Sequence, residues 1–117
     1  MENDYYPIVI LHHDMPVGFF VLHGWDGVQK YSDNQNALLI RAYSIHPSFQ
    51  GKGIALQSLQ ILPTFVKKQF PTCNEIVLGV NHKNIPAQRL YLRSGFKDSG
   101  KRIIGKLGEQ FVFHMNV

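Results

Sequence analysis

A mixed α/β (α+β) fold, with a mostly antiparallel sheet and flanking helices, is predicted by three features of this 117-residue chain. A β-rich run, Leu38 to His46, is joined through Gln50-Gly51-Lys52-Gly53-Ile54-Ala55 to a segment with helical apolar spacing that ends at Phe70. A second apolar run, Glu75 to Val80, leads into a shorter helical segment. Alternating apolar runs separated by turn residues occupy both ends of the chain, as hairpins do.

The elements follow in order. Pro7 to His12 reads as a strand, His13-Asp14-Met15-Pro16 as a turn and Val17 to His23 as the returning strand. Gly24 to Asn36 is polar and reads as an extended loop. The strand of residues 38–46 is closed by His46-Pro47. In the first long helix, Ala55, Leu59, Leu62, Val66 and Phe70 form a stripe that Ile61 and Phe65 widen. Pro63 lacks the N–H that this helix needs, which predicts a kink or a break near Leu62. In the second helix Asn84 is placed to cap, Pro86 to occupy the first turn and Gly95 to form the left-handed exit. The end of the chain reads as a hairpin of Arg102 to Ile104 and Gln110 to Met115, turning at Gly105 to Gly108.

The glycine loop is the first pointer to function. Two glycines ahead of a helix let a ligand approach the backbone, and the first N–H groups of the helix then point at an anion. Lys52 is followed by Gly53 rather than Ser or Thr, which excludes a nucleotide-binding P-loop. Leu56 stands where a dinucleotide fingerprint needs Gly or Ala.

The pattern Gln-x-x-Gly-x-Ala at Gln50, Gly53 and Ala55 resembles the pyrophosphate-binding signature of the GNAT-type N-acetyltransferase superfamily. The resemblance continues through the strand of residues 75–80, then Asn81, Asn84, Ala87, Tyr91 and the closing Gly95-Phe96. Asn84, Ala87 and Tyr91 share one helical face.

The resemblance implies the acyl-CoA N-acyltransferase (GNAT) fold, in which the strand before the loop and the strand after the helix are parallel but splayed. It implies acetyl-CoA as co-substrate, bound by Ser44, Ile45, His46, Gln50, Gly51, Lys52, Gly53, Ile54, Ala55, Asn81, Asn84, Ala87 and Tyr91. It further implies two catalytic roles: the Ile45 N–H steadies the thioester oxygen, and Tyr91 protonates the departing thiolate. Many relatives carry a glutamate base on the strand before the loop. None lies between Leu38 and His46 here; the alternatives are His46, His82, or an amine that loses its proton to solvent before attack, with no dedicated base.

Family members usually open with a strand and two helices that wall the acceptor pocket, whereas the first strand here starts at Pro7. The expectation is one domain, residues 1–117, short at its N-terminus. The loop carrying Trp25 and Tyr31, or a neighbouring protomer of a homodimer, would replace the wall. Trp25 could equally anchor the core. Two functions follow: an acetyl-CoA-dependent N-acetyltransferase acting on a small-molecule or peptidyl amine, or a non-catalytic acyl-CoA-binding module.

Composition narrows the field. Hydrophobic residues make up 44% and charged residues 17%, which excludes a wholly disordered chain. Met1 to Asp4 lacks the basic start of a signal peptide and no apolar run is long enough to span a bilayer, so a cytoplasmic protein without membrane attachment is expected. The net charge of +4 comes from scattered residues apart from Lys67-Lys68, and coenzyme A is itself a polyanion, so no nucleic-acid partner is expected. Six histidines show no metal-binding spacing and predict no metal site. Cys73 is the single cysteine and reads as a structural thiol.

Overall fold

A computed structural model of the chain describes residues 4–117. Met1 to Asn3, part of the segment read for a signal peptide, lie outside the described residues. Six strands form one sheet: β1 (Tyr5–His12), β2 (Met15–His23), β3 (Ala37–Ile45), β4 (Glu75–Asn81), β5 (Lys97–Gly105) and β6 (Gly108–Asn116). Their spatial order is β1-β2-β3-β4-β6-β5. Every neighbouring pair is antiparallel except β3 and β4. The helices are α1 (Trp25–Val28), α2 (Ile54–Gln69) and α3 (Ile85–Arg93).

α2 and α3 cover one face of the sheet. Leu38, Ile40 and Ile45 of β3 and Ile76, Leu78 and Val80 of β4 join Ile54, Leu59, Leu62 and Val66 of α2 in the main core. Each such side chain contributes about 1.5–3 kcal/mol on burial. On the opposite face a smaller cluster unites Val28 with Ala37, Leu39 and Val77, and Trp25 and Tyr31 pack against it.

Three expectations need correction. The segment read as an extended loop, residues 24–36, contains α1, a single turn held because Val28 is fully buried against β3 and β4. Pro63 does not divide α2, which runs unbroken from Ile54 to Gln69. Pro63 removes one backbone bond, but Leu59 before it and Val66 after it are both anchored in the core, so the helix continues past it without a break. The strands also extend beyond their apolar cores. β2 begins at Met15 because His13 and Asp14 form the turn alone, with φ of 52° and 65°. β5 begins at Lys97, where it is an exposed edge held by pairing with β6 rather than by burial.

The β3–β4 junction organises everything that follows. Only three residue pairs join these strands, Ala37 with Glu75, Leu38 with Ile76 and Leu39 with Val77. Beyond Leu39 the strands part. β3 is pulled toward β2 by a bulge: Phe19 pairs with Ser44 and Val21 with Arg41, so Ala42 and Tyr43 together oppose Phe20 alone. Ala42 takes a left-handed φ of 56°, a strained conformation for a residue with a Cβ. The extra residue also shifts the side-chain alternation, which is why Tyr43 and Ile45 share the helix face with Leu38 and Ile40.

Candidate acyl-CoA site

The open side of the junction is a wedge of about 330 Å³, lined by Tyr31, Ile40, Arg41, Ala42, Tyr43, Leu78, Gly79, Tyr91 and Gln110. It passes through the sheet. Ile40, Tyr43, Leu78 and Tyr91 belong to the helix-covered face, and Tyr31 to the α1 face; alternation along the strands puts Arg41 beside Leu39, and Gly79 beside Val77, on the α1 face too. Position 79 is crowded: a Cβ there would lie 2.7 Å from Gln110 Oε1 and 2.8 Å from the Tyr31 ring, so any larger residue must displace both side chains.

A second cavity of about 270 Å³ lies at the start of α2. It is lined by Ile45, Phe49, Gln50, Gly51, Gly53, Ile54, Ala55, Leu56, Leu90 and Arg93. Gly51 and Gly53 hold φ of 75° and 81°, and Gly53 is the N-cap of α2 with no side-chain cap on the helix. The first N–H groups of a 16-residue helix are therefore left open to an anion. A Cβ on Gly53 would meet nothing within 4 Å, so the demand for glycine here is conformational. Gly53→Ala is expected to cost about 1–2 kcal/mol, seen as a lower thermal midpoint, without any steric clash.

The predicted residues divide by position. Ile45, Gln50, Gly51, Gly53, Ile54 and Ala55 meet at the loop cavity, and Tyr91 lines the wedge. His46 N–H donates to the Val17 carbonyl at 2.7 Å. Successive N–H groups of an extended strand point to opposite edges, so the Ile45 N–H points toward β4, past the last β3–β4 pair. Gln50 Nε2 donates to the Ile45 carbonyl at 2.8 Å, tying the loop to the end of β3. Ser44, His46, Lys52, Asn81, Asn84 and Ala87 line neither cavity. Asn84 Oδ1 accepts from the Ala87 N–H at 3.2 Å and caps α3. Asn81 donates to the Leu107 carbonyl and accepts from the Lys83 N–H. Lys52 is exposed beside the loop.

The candidate bases lie outside the wedge. His46 Nδ1 accepts from the Ser48 N–H at 3.1 Å. His82 Nδ1 lies 2.9 Å from the Glu109 carbonyl; a carbonyl only accepts, so that nitrogen carries the proton. Of the two aromatic residues in the segment read as a loop, Tyr31 reaches the wedge and Trp25 does not.

Tyr91 is largely buried, with its ring edge-on to Phe96 at 5.8 Å between centroids. Burial, reinforced by the neighbouring Tyr43, pushes its phenol up to about 12. Tyr43 is also pushed up by burial, an effect partly offset by its hydrogen bond to Ser58. Both are neutral hydrogen-bond donors at physiological pH. Burial likewise raises the Cys73 thiol, whose Sγ donates to the Glu75 carbonyl, as a structural thiol should.

Sequence reasoning missed Arg41, Tyr43 and Gln110 in the wedge, and Leu90 and Arg93 at the loop. Leu90 and Arg93 follow Ala87 at three-residue intervals, a spacing that could have placed them along one side of α3. Arg41 and Gln110 carried no local signal.

Comparison with known proteins agrees with this arrangement. The sequence profile of the acetyltransferase (GNAT) family matches residues 1–96. The chain is 50% identical over 113 residues to the uncharacterized N-acetyltransferase YbbJ of Bacillus subtilis strain 168, a match covering 96% of this chain and 71% of YbbJ. It is 27% identical over 100 residues to the spermine/spermidine N(1)-acetyltransferase of the same organism, covering 86% of this chain and 65% of that protein. Among solved structures, AAC(6')-Ib in complex with ribostamycin and coenzyme A superposes with a TM-score of 0.79 at 17% identity, covering 97% of this chain and 64% of that one. The chain thus spans less than two thirds of the length of the latter two proteins. With the profile match, the 50% identity and a splayed parallel strand pair flanked by a glycine loop, the chain belongs to the acetyltransferase (GNAT) family.

Proposed function

We propose that the protein is an acetyl-CoA-dependent N-acetyltransferase, a single domain that transfers an acetyl group to a primary amine of a small molecule or peptide by direct attack. The observation that carries this reading is the parting of β3 from β4 beyond Leu39 and Val77, with the glycine loop near one end and Tyr91 inside it. The relatives support the class of chemistry. One is named for acetylating spermine and spermidine, and another is solved with an aminoglycoside and coenzyme A.

The diphosphate of acetyl-CoA meets the N–H groups of Gly51 to Ala55, with Lys52 and Arg93 as the nearby cations. The pantetheine arm lies along the free edge of β3 as an added strand, pairing with backbone groups around Ser44, Ile45 and His46. The neutral amine nitrogen attacks the thioester carbon, forming the C–N bond. The Ile45 N–H stabilises the oxygen as it gains charge. The C–S bond breaks, the amine gives up its proton to solvent, and the departing sulfur accepts a hydrogen bond from the Tyr91 phenol as charge builds on it, then takes its proton from solvent. A thioester is already activated, so orientation supplies much of the acceleration.

Acetyl-CoA at a hundred times its dissociation constant is expected to stabilise the fold by about 2.7 kcal/mol, raising the thermal midpoint by roughly 10 °C. Differential scanning fluorimetry measures it, and no shift at millimolar acetyl-CoA would overturn the reading. A shift without thiol release across a broad panel of amines would instead identify a non-catalytic acyl-CoA-binding module.

A further inference from the structure

We propose that Arg41 selects the acceptor, and that the wedge takes an amine that also carries a carboxylate, as amino acids and peptides do, in preference to a polycation. The proposal rests on the acetyltransferase reading above and names the substrate class for the same site.

Among the described residues Arg41 is the one formally charged side chain lining the wedge, and no aspartate or glutamate of theirs lines it. It follows Ile40 at the point where β3 leaves β4, on the α1 face, whereas Tyr43 and Tyr91 stand on the helix face. An acceptor entering from the α1 side would meet Arg41, Tyr31 and Gln110 before it reached the phenols. The same arginine and Tyr31 also line an adjoining cavity of about 150 Å³ with His23, Asp26, Gly27, Lys30 and Leu39. Among the described residues its formal charges are two cations, Lys30 and Arg41, against the one carboxylate of Asp26.

The guanidinium is only partly engaged. Its described contact is Nη1 with His23 Nδ1 at 3.2 Å, which uses one of five donors. The ion pairs among the described residues are Arg102 with Asp98 and His114 with Glu75, so Arg41 has no carboxylate partner among them. Arg41 lines the wedge, and the donors that its His23 contact leaves over form a planar fork that matches a carboxylate in charge and in geometry. A polyamine would bring positive charge against that guanidinium, with no acidic side chain of the described residues in the wedge to hold it. This differs from what the name of the spermine/spermidine relative would suggest for this chain.

The test uses matched acceptors, L-lysine against cadaverine and L-tyrosine against tyramine, assayed with acetyl-CoA by thiol release. Product affinity is measured in parallel by calorimetry with coenzyme A present, comparing Nε-acetyl-lysine with N-acetylcadaverine and N-acetyltyrosine with N-acetyltyramine. The carboxylated member is expected to lead by about ten- to a hundredfold in kcat/KM or in product affinity, the size of one charge-assisted pair. Arg41→Gln should erase that lead through KM rather than kcat, and Arg41→Glu should turn it toward cadaverine. Arg41 is exposed, so both variants should fold, as the acetyl-CoA melting shift would verify. Equal or better use of the decarboxylated amines by the unmodified protein, or an unchanged ratio in Arg41→Gln, would overturn the proposal while leaving the acetyltransferase reading intact. A chain that binds no acetyl-CoA would overturn both.

Discussion

Replacing Tyr91 by phenylalanine is expected to lower kcat by about a hundredfold, toward the lower end of what a positioned acid contributes, while acetyl-CoA affinity stays within a few fold. The substitution removes one oxygen from a side chain whose ring packs edge-on to Phe96, so the fold and the loop cavity keep their shape. The electrostatics set the size of the effect. A phenol at about 12 holds its proton more tightly than a thiol, which ionises near about 8.5. Full transfer to sulfur is therefore uphill, and Tyr91 acts by donating a hydrogen bond as charge builds. Steady-state kinetics beside calorimetric acetyl-CoA affinity would check this. Unchanged turnover in the variant would remove Tyr91 from the mechanism.

The same shift predicts a dependence of stability on pH. In the unfolded chain the Tyr91 phenol ionises near 10, and in the folded chain near 12. The unfolded state thus sheds its proton first on the alkaline side. The associated stability is fully present below pH 10 and lost as pH rises through 12, and Tyr91→Phe should lessen that loss.

The largest expected effect on stability is at Phe96, where truncation to alanine should cost about 3–5 kcal/mol. Phe96 is 2% exposed and sits in the main core. Its N–H donates to the Tyr91 carbonyl at 3.0 Å, and Gly95 ahead of it takes the left-handed φ of 112° that ends α3. The loss would be a large share of the 5–15 kcal/mol by which domains are usually stable. The thermal midpoint should fall by roughly 15 °C. Phe96→Leu, keeping most of the volume, should lose less than half as much. Denaturant melts of both variants would check the pair. Similar midpoints for Phe96→Ala and the unmodified protein would show that the site collapses to fill the space.

What the sequence made legible was local. Gln50, Gly53 and Ala55 announce the loop by spacing, Asn84 announces its own cap, and α2 shows its stripe from Leu59 to Val66. Features decided by distant partners were not legible. α1 contains Gly27 and spans four residues, so nothing local favours a helix, and Val28 forms it by burying against β3 and β4. Pro63 signals a break that the packing of Leu59 and Val66 overrides. The bulge at Ala42 follows from how β3 must pair with β2. Tyr31, Arg41 and Gln110 converge from three separate parts of the chain only because β3 bends away from β4.

Mechanically, the domain is two three-stranded leaves, β1-β2-β3 and β4-β6-β5, fastened by three rungs of ladder and by α2 lying across them. A ligand that pairs with the inner edge of one leaf would stiffen the seam. Amide hydrogen exchange in the second half of β3 should then slow on cofactor addition far more than exchange in β5, which lies at the outer margin of the other leaf.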